Sequence, residues 1–279
     1  MILMDCHTHT GFSPDGTGTV AQLCDRAEAL GMSALAMTEH VEMNRFYSQA
    51  HYGTEPRNPW EVFSHDKVLA DSLAAVSAEK SQRKSFRLLC GMEMGQPNAD
   101  FSLSEQACSD QRLDFVIASL HELLGEEDFF CLDYTRRHVP ELLTLYFQQL
   151  YDICRWGCFD VLGHLTYPLR YMVGEAGISV DLQPYTEQIC CCFRTLVENG
   201  KGIELNTSGL RQKYGKTFPD LPLLRLYREM GGEILTLGSD AHCAEDLGKG
   251  IAAGMTLAQE AGFGYVCYFE KRKPVFVRL

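Results

Sequence analysis

Met1-Ile2-Leu3-Met4-Asp5-Cys6-His7-Thr8-His9 opens the chain, and the reading of this stretch decides the fold. Met1 to Met4 is uncharged and apolar, and the cluster Gly11, Ser13, Pro14, Asp15 and Gly16 marks a turn soon after it, so it reads as a short buried strand. His7 and His9 leave its C-terminal end. Side chains two positions apart share one face of extended backbone, so both imidazoles can reach one point in space. Neutral imidazole is the commonest metal ligand, which makes the pair half of a tetrahedral site. Taken alone, such a pair is more often an ordinary hydrogen-bonded one, and the rest of the chain has to decide.

The same pattern, an apolar run followed at once by His, Asp or Glu, keeps returning. A helix begins at Thr19, carries Val20, Leu23, Ala27 and Leu30 at helical spacing and closes at Gly31. Ala34-Leu35-Ala36-Met37 then runs into Thr38-Glu39-His40. A helix over 67–83 precedes Phe86 to Cys90 and Gly91-Met92-Glu93, and Phe115 to Leu120 ends in His121-Glu122. After an amphipathic helix over 139–156, Phe159 to Gly163 leads to His164. Gly202-Ile203-Glu204-Leu205 reaches Asn206, and Ile234 to Ser239 reaches Asp240-Ala241-His242. Seven strands alternating with helical segments predict an α/β protein with a parallel sheet. A closed, irregular seven-stranded barrel fits better than an open sheet, because only a barrel brings residues from every strand end to one rim. Residues 41–66, aromatic and polar without periodicity, read as a long loop, and 264–279 has room for a further strand.

At 279 residues, with 46% hydrophobic and 22% charged residues and no linker, the chain reads as one domain over 1–279. A net charge of −12 argues against a nucleic-acid partner, which needs a basic surface. No stretch is long and apolar enough to span a membrane. Twelve cysteines would suggest disulfides in a secreted chain, but MILMDCHTHT has no signal-peptide pattern, so a cytoplasmic protein with free thiols is expected. Cys190, Cys191 and Cys192 fall in a helical pattern and read as small hydrophobes.

The strand ends and the opening turn collect His7, His9, Asp15, His40, Glu93, His121, His164, Asp240 and His242, which are six histidines and three carboxylates. One zinc-like ion takes four or five such ligands, so the set implies two or three divalent ions sharing bridging groups. Glu93 is the natural bridge, since a carboxylate offers one oxygen to each of two ions. Ions a few ångströms apart suit phosphoryl transfer to water, because they hold phosphate oxygens and generate the nucleophile. Arg211 and Arg170 are candidates to clamp the phosphate through the planar guanidinium fork, against the alternative of salt bridging. Asn206 either contacts substrate or anchors its turn. Asp240 and His242 are candidates to protonate the leaving alkoxide. Asp5 either orients a histidine or ends the strand, and Glu39 and Glu122 point away from the ligands next to them. His51, His65 and His138 lack strand-end context and read as solvated.

His7-Thr8-His9, the Asp15 turn, Thr38-Glu39-His40, Gly91-Met92-Glu93, Ser119-Leu120-His121, Gly163-His164, Glu204 to Arg211 and Gly238-Ser239-Asp240-Ala241-His242 together resemble the PHP superfamily, in its histidinol-phosphatase branch. The resemblance runs from Met1 to about Gly254. It implies a distorted (βα)7 TIM-like barrel with a trinuclear site. By resemblance, His7, His9, Glu93 and Asp240 hold a first ion, and Glu93 bridges to a second on His121 and His164. Asp15, His40 and His242 hold the third, Asp15 standing where many superfamily members carry His. The metals would be zinc, iron or manganese, and the substrate histidinol phosphate, a small phosphate ester of histidine biosynthesis. Three alternatives stay open: another small phosphate ester as substrate, a non-catalytic metal-stabilised module, and an amidohydrolase. The module requires broken ligands, of which there are none, and the amidohydrolase a strand-end lysine, which is absent.

Overall fold

Strands β1 (Met4–Asp5), β2 (Ala34–Glu42), β3 (Arg87–Gly95), β4 (Phe115–Ser119), β5 (Val161–Leu162), β6 (Gly202–Asn206) and β7 (Leu235–Gly238) pair in chain order, each parallel to the next. The computed structural model describes residues 3–44 and 65–279. The first and last strands meet beyond their ladders. Cys6 N–H donates to Leu237 O at 2.8 Å, Asp240 N–H to His7 O at 2.9 Å and His9 N–H to Ala241 O at 2.8 Å. The sheet is therefore a distorted (βα)7 TIM-like barrel. Every position of β2 is buried, because such a strand faces the barrel interior on one side and the helical layer on the other.

The outer layer consists of α1 (Val20–Ala29), α2 (His65–Gln82), α3 (Phe101–Cys108), α4 (Val139–Trp156), α5 (Thr186–Glu198), α6 (Leu221–Glu229) and α7 (Ile251–Glu260). Local chemistry sets their ends. Thr19 and Gln22 form a reciprocal capping box that starts α1, and Gly157 ends α4 at φ 70°, a conformation that costs glycine nothing. Cys192 is buried on the inner face of α5 with Ile189, Phe193 and Leu196, as the apolar reading of the cysteine run requires, while Cys190 and Cys191 are half-buried. Among the described residues no helix is long and apolar enough to cross a membrane.

Two expectations change. The segment 41–66 does not begin as a loop: Val41 and Glu42 continue β2, paired with Met94 and Gly95 of β3, and α2 starts at His65. The rest of that segment, with His51, lies outside the described residues. The C-terminal segment supplies an antiparallel hairpin, β8 (Tyr265–Glu270) and β9 (Lys273–Arg278), in place of one further strand. It closes the N-terminal end of the barrel. Phe269 stacks on Phe115 at 5.2 Å, Arg272 N–H donates to Asp114 O at 2.8 Å, and Arg272 Nε pairs with Asp160 Oδ2 at 2.5 Å.

Asp160 is buried, and desolvation raises its carboxyl despite the opposing pull of Arg272. Removing Arg272 leaves that charge beneath the barrel with the Val116 N–H (2.8 Å) as its remaining strong donor. Arg272→Ala is expected to lower stability by about 2 kcal/mol in urea unfolding while the metal content of the folded protein stays unchanged.

Candidate metal centre

The C-terminal rim gathers all nine ligand candidates. His7 and His9 flank Thr8, whose backbone bridges to Ala241, so strand alternation aims both rings to the interior. His40 and Glu93 are register partners on β2 and β3, and His40 Nδ1 lies 3.0 Å from Glu93 Oε2. The same oxygen lies 3.1 Å from His7 Nε2 and 3.5 Å from His9 Nε2. Glu93 Oε1 meets His164 Nε2 at 2.7 Å and His121 Nε2 at 3.1 Å, and accepts from Ser119 Oγ at 2.6 Å. Asp240 Oδ1 lies 3.5 Å from His9 and 3.7 Å from His7, and Asp15 Oδ2 lies 3.0 Å from His242 Nε2. Four ligand triplets have their donor atoms within 4.8 Å of one another: His7, His9, Asp240; His7, Glu93, His164; His40, Glu93, His121; and His9, His40, His242. His7 Nε2, His9 Nε2 and Glu93 Oε2 are buried without a hydrogen bond among the described residues, although they face one another. Ring nitrogens and carboxylate oxygens converging without bonding fit divalent cations.

A PHP domain family model matches residues 5–208. The chain belongs to the PHP domain family. Among curated relatives, the probable histidinol-phosphatase of Clostridium acetobutylicum is 25% identical over 97% of this chain and 98% of its own length. The histidinol-phosphatase of Lactococcus lactis subsp. lactis is 26% identical over 97% and 95%. A crystal structure of histidinol phosphate phosphatase from that organism, complexed with zinc, L-histidinol and phosphate, superposes with a TM-score of 0.79 at 23% identity, covering 98% of both chains. This likeness carries the fold.

Within this PHP barrel a second layer orients the rings. His7 Nδ1–H donates to Glu204 Oε1 at 2.6 Å, which leaves Nε2 as the ligand nitrogen, and Glu204 Oε2 accepts the His164 N–H at 2.9 Å. Glu42 Oε1 lies 3.2 Å from His40 Nδ1 and 3.4 Å from His121 Nδ1, and its other oxygen accepts from Gln96 at 2.7 Å. Two glycines make room for these carboxylates: a Cβ at Gly238 would overlap Glu204 and His7, and one at Gly95 would overlap Glu42. Glu39 points away from His40, as alternation predicts, yet reaches the site indirectly. It accepts from Ser13 Oγ at 2.6 Å, and Ser13 Oγ lies 3.2 Å from His9 Nδ1. Asp5 touches neither ring; it accepts from Ser239 N–H at 2.8 Å and Gly248 N–H at 2.9 Å, fixing the turn that carries Asp240. Asp240 itself sits at φ 54°, a left-handed conformation that this turn imposes.

Arg170 donates to Asp240 Oδ2 and to Ser208 Oγ, each at 2.9 Å, and its guanidinium lies 5.1 Å from the Tyr167 ring and 5.2 Å from Phe218. Arg211 lines the same cavity as Arg170 and also holds backbone. It donates to Ser239 O at 2.5 Å and Asp240 O at 2.7 Å and pairs with Asp246 at 3.3 Å, so it fastens the Asp240 turn. Asn206 is fully buried, with its oxygen taken by Ser208 N–H (3.0 Å) and Oγ (2.6 Å) and its amide bonded to Glu204 (3.3 Å), so it anchors its turn. His138 is exposed at the start of α4, and His65 stands first in α2. Glu42 and Glu204 were missed from the sequence; a charged residue inside the buried run Gly202 to Asn206 was the available signal for Glu204.

Burial pushes the Glu93 carboxyl up, but His7, His40 and His121 outweigh it and hold the group well below the usual range. Burial lowers His9, with His40 and His242 adding to it, so that ring is neutral and ready to ligate. Burial also opposes charge on His7, His40 and His121, yet adjacent carboxylates hold all three above the ordinary imidazole value, His40 at about 10. The same carboxylates favour protons on these rings, and an incoming ion must displace them. Apparent affinity should therefore rise from pH 6 to pH 8, with proton release visible in calorimetry run in buffers of different ionisation enthalpy; pH-independent affinity would contradict the assignment. Glu204→Gln, which frees the His7 tautomer, should weaken metal binding by roughly tenfold to a hundredfold.

Proposed function

We propose that the chain is a metal-dependent phosphomonoesterase, hydrolysing L-histidinol phosphate to L-histidinol and phosphate as a step of histidine biosynthesis. The observation that carries this reading is the convergence of nine ligand side chains on one rim beside an arginine. Curated relatives named histidinol-phosphatase and aligned over nearly the whole chain support the substrate.

In this reading His7, His9, Asp240 and Glu93 hold one ion, Glu93, His121 and His164 a second, and Asp15, His40 and His242 a third. Zinc, the metal of the similar structure, suits such a nitrogen and oxygen set, as do iron and manganese. Bound ions would supply Lewis-acid polarisation of the phosphoryl oxygens and a water acidic enough to act as nucleophile. The chain's own residues bind and orient. Arg170, fixed between two aromatic rings and Asp240, offers N–H donors to a phosphate oxygen above the ligands. Glu204 and Glu42 keep the ring nitrogens aimed.

In this reading the leaving alkoxide takes its proton from water or from Asp240 or His242, which stand at the edge of the ligand cluster. Burial raises the Asp240 carboxyl, but His7, His9 and Arg170 hold it well below its ordinary value. His242 Nδ1–H is donated to Asp240 O at 3.0 Å, and Nε2 faces Asp15.

Phosphate release from histidinol phosphate, measured beside a panel of phosphorylated sugars and with metal content determined, should show strong preference for histidinol phosphate. Metal-loaded protein that hydrolyses no ester would overturn the reading. His9→Ala and Glu93→Ala should lose activity to background while keeping a wild-type circular dichroism spectrum, since each removes a ligand and little core volume. Arg170→Ala should raise KM about tenfold to a hundredfold, the loss of one or two charge-assisted hydrogen bonds.

A further inference from the structure

The two sides of the rim differ in charge. On the β7 side an open cavity of about 470 Å3 is lined by Arg170, Arg211 and Lys249, with Asp240, His242 and Asp246 among them. On the β4 side, the loop before α4 carries Asp128. Its Oδ1 accepts the Phe130 N–H at 2.7 Å and the Tyr167 hydroxyl at 3.2 Å. The Tyr167 ring lies 4.8 Å from His121 and 5.1 Å from His164, which places Asp128 one side chain away from the ligands. Tyr171 joins through its hydroxyl, 3.1 Å from that of Tyr167, and Phe130 stands edge-on to Tyr171 at 5.7 Å.

Two features of this corner call for a ligand. Phe130 is 71% exposed, with its backbone N–H bonded to Asp128 and its ring edge-on to Tyr171, so an aromatic face stands open beside this carboxylate. Asp128 receives only neutral donors in these contacts, and no lysine or arginine among the described residues forms an ion pair with it. Burial raises its carboxyl, with His121 the largest opposing influence. A cation placed here would offset that desolvation, and the flanking rings suit a planar or ammonium cation.

We propose that Asp128, with Phe130 and Tyr171, binds a positively charged leaving group, so that the site selects phosphate monoesters of amine- or imidazole-bearing alcohols over neutral ones. The inference rests on the phosphatase reading above. Phosphate sits over the ligands against Arg170, and the alcohol extends across Tyr167 to the acidic corner. A substrate of one sign would meet repulsion at one end of this span.

The test compares phosphoethanolamine, which carries an ammonium, with glycerol phosphate, which is neutral beyond its phosphate, on the metal-loaded enzyme. The readout is the ratio of their kcat/KM values. The wild type should favour phosphoethanolamine, and Asp128→Asn should lower the ratio by about tenfold, chiefly through KM for the cationic ester. Asp128→Glu should restore most of the preference, and Phe130→Ala should reduce it less than Asp128→Asn. A ratio unmoved by Asp128→Asn, or equal losses on both esters, would overturn the proposal and leave Asp128 as a support for Tyr167. Histidinol phosphate run alongside separates the two readings: if it is not hydrolysed while the ratio still depends on Asp128, the substrate assignment fails and the cation site stands. Release from none of the three esters removes both.

Discussion

Five imidazoles surround the carboxylate of Glu93, with ring nitrogens of His7, His9, His40, His121 and His164 all within 3.5 Å of its oxygens. A buried carboxylate in that position is costly unless positive charge answers it, and protonated imidazoles answer it only by repelling one another. Divalent cations meet both needs at once, since they neutralise Glu93 and take the lone pairs of neutral rings. The closed barrel makes this crowding possible. Parallel strands of one register deliver the side chains from every direction, and the hydrogen bonds from Cys6 to Leu237 and from Asp240 to His7 leave no edge through which the cluster could relax.

Ligands alone do not define such a site, because an imidazole that can rotate or change tautomer is a poor one. Glu204, Glu42 and Ser13 remove that freedom, and Asp5 with Arg211 clamps the turn that carries Asp240. These groups surround the ligands at the rim. Beneath it the interior is apolar, and the β8–β9 hairpin closes the far end with Phe269 on Phe115 and Arg272 on Asp160. The arrangement separates stability at one end of the barrel from chemistry at the other.

What was legible in the sequence followed from periodicity. An apolar run ending in a ligand can be read without knowing its neighbours, because a strand inside a barrel is buried along its length and polar only where it emerges. His40, Glu93, His121, His164 and Asp240 all obey this rule. Glu204 does not, since it lies inside β6 and faces its histidines from below, and only the fold shows that the barrel interior there is polar. Glu42 was hidden for another reason: the aromatic and polar residues after Val41 masked the fact that β2 continues to Glu42 in register with Gly95. Arg211 and Asn206 are candidates by residue type, and both hold turns, Arg211 while lining the cavity beside Arg170. Which partner a polar side chain takes is settled by tertiary geometry, and sequence spacing carries little of it.

The division between ligands and rim also explains how one metal centre can serve different substrates. In the proposed reading the nine ligands determine that a phosphoryl group is held and water activated, and nothing in their geometry distinguishes one alcohol from another. Distinction must come from groups that contact the leaving alcohol, and those stand on the loops above the strand ends, where sequence can change without disturbing the cluster. Tyr167 occupies the boundary between the two tasks. Its ring packs on His121 and His164 and under Arg170, while its hydroxyl binds Asp128, so one side chain couples the phosphate side of the rim to its acidic corner. A loop that replaced Asp128 would keep the chemistry and change the charge of what the site accepts.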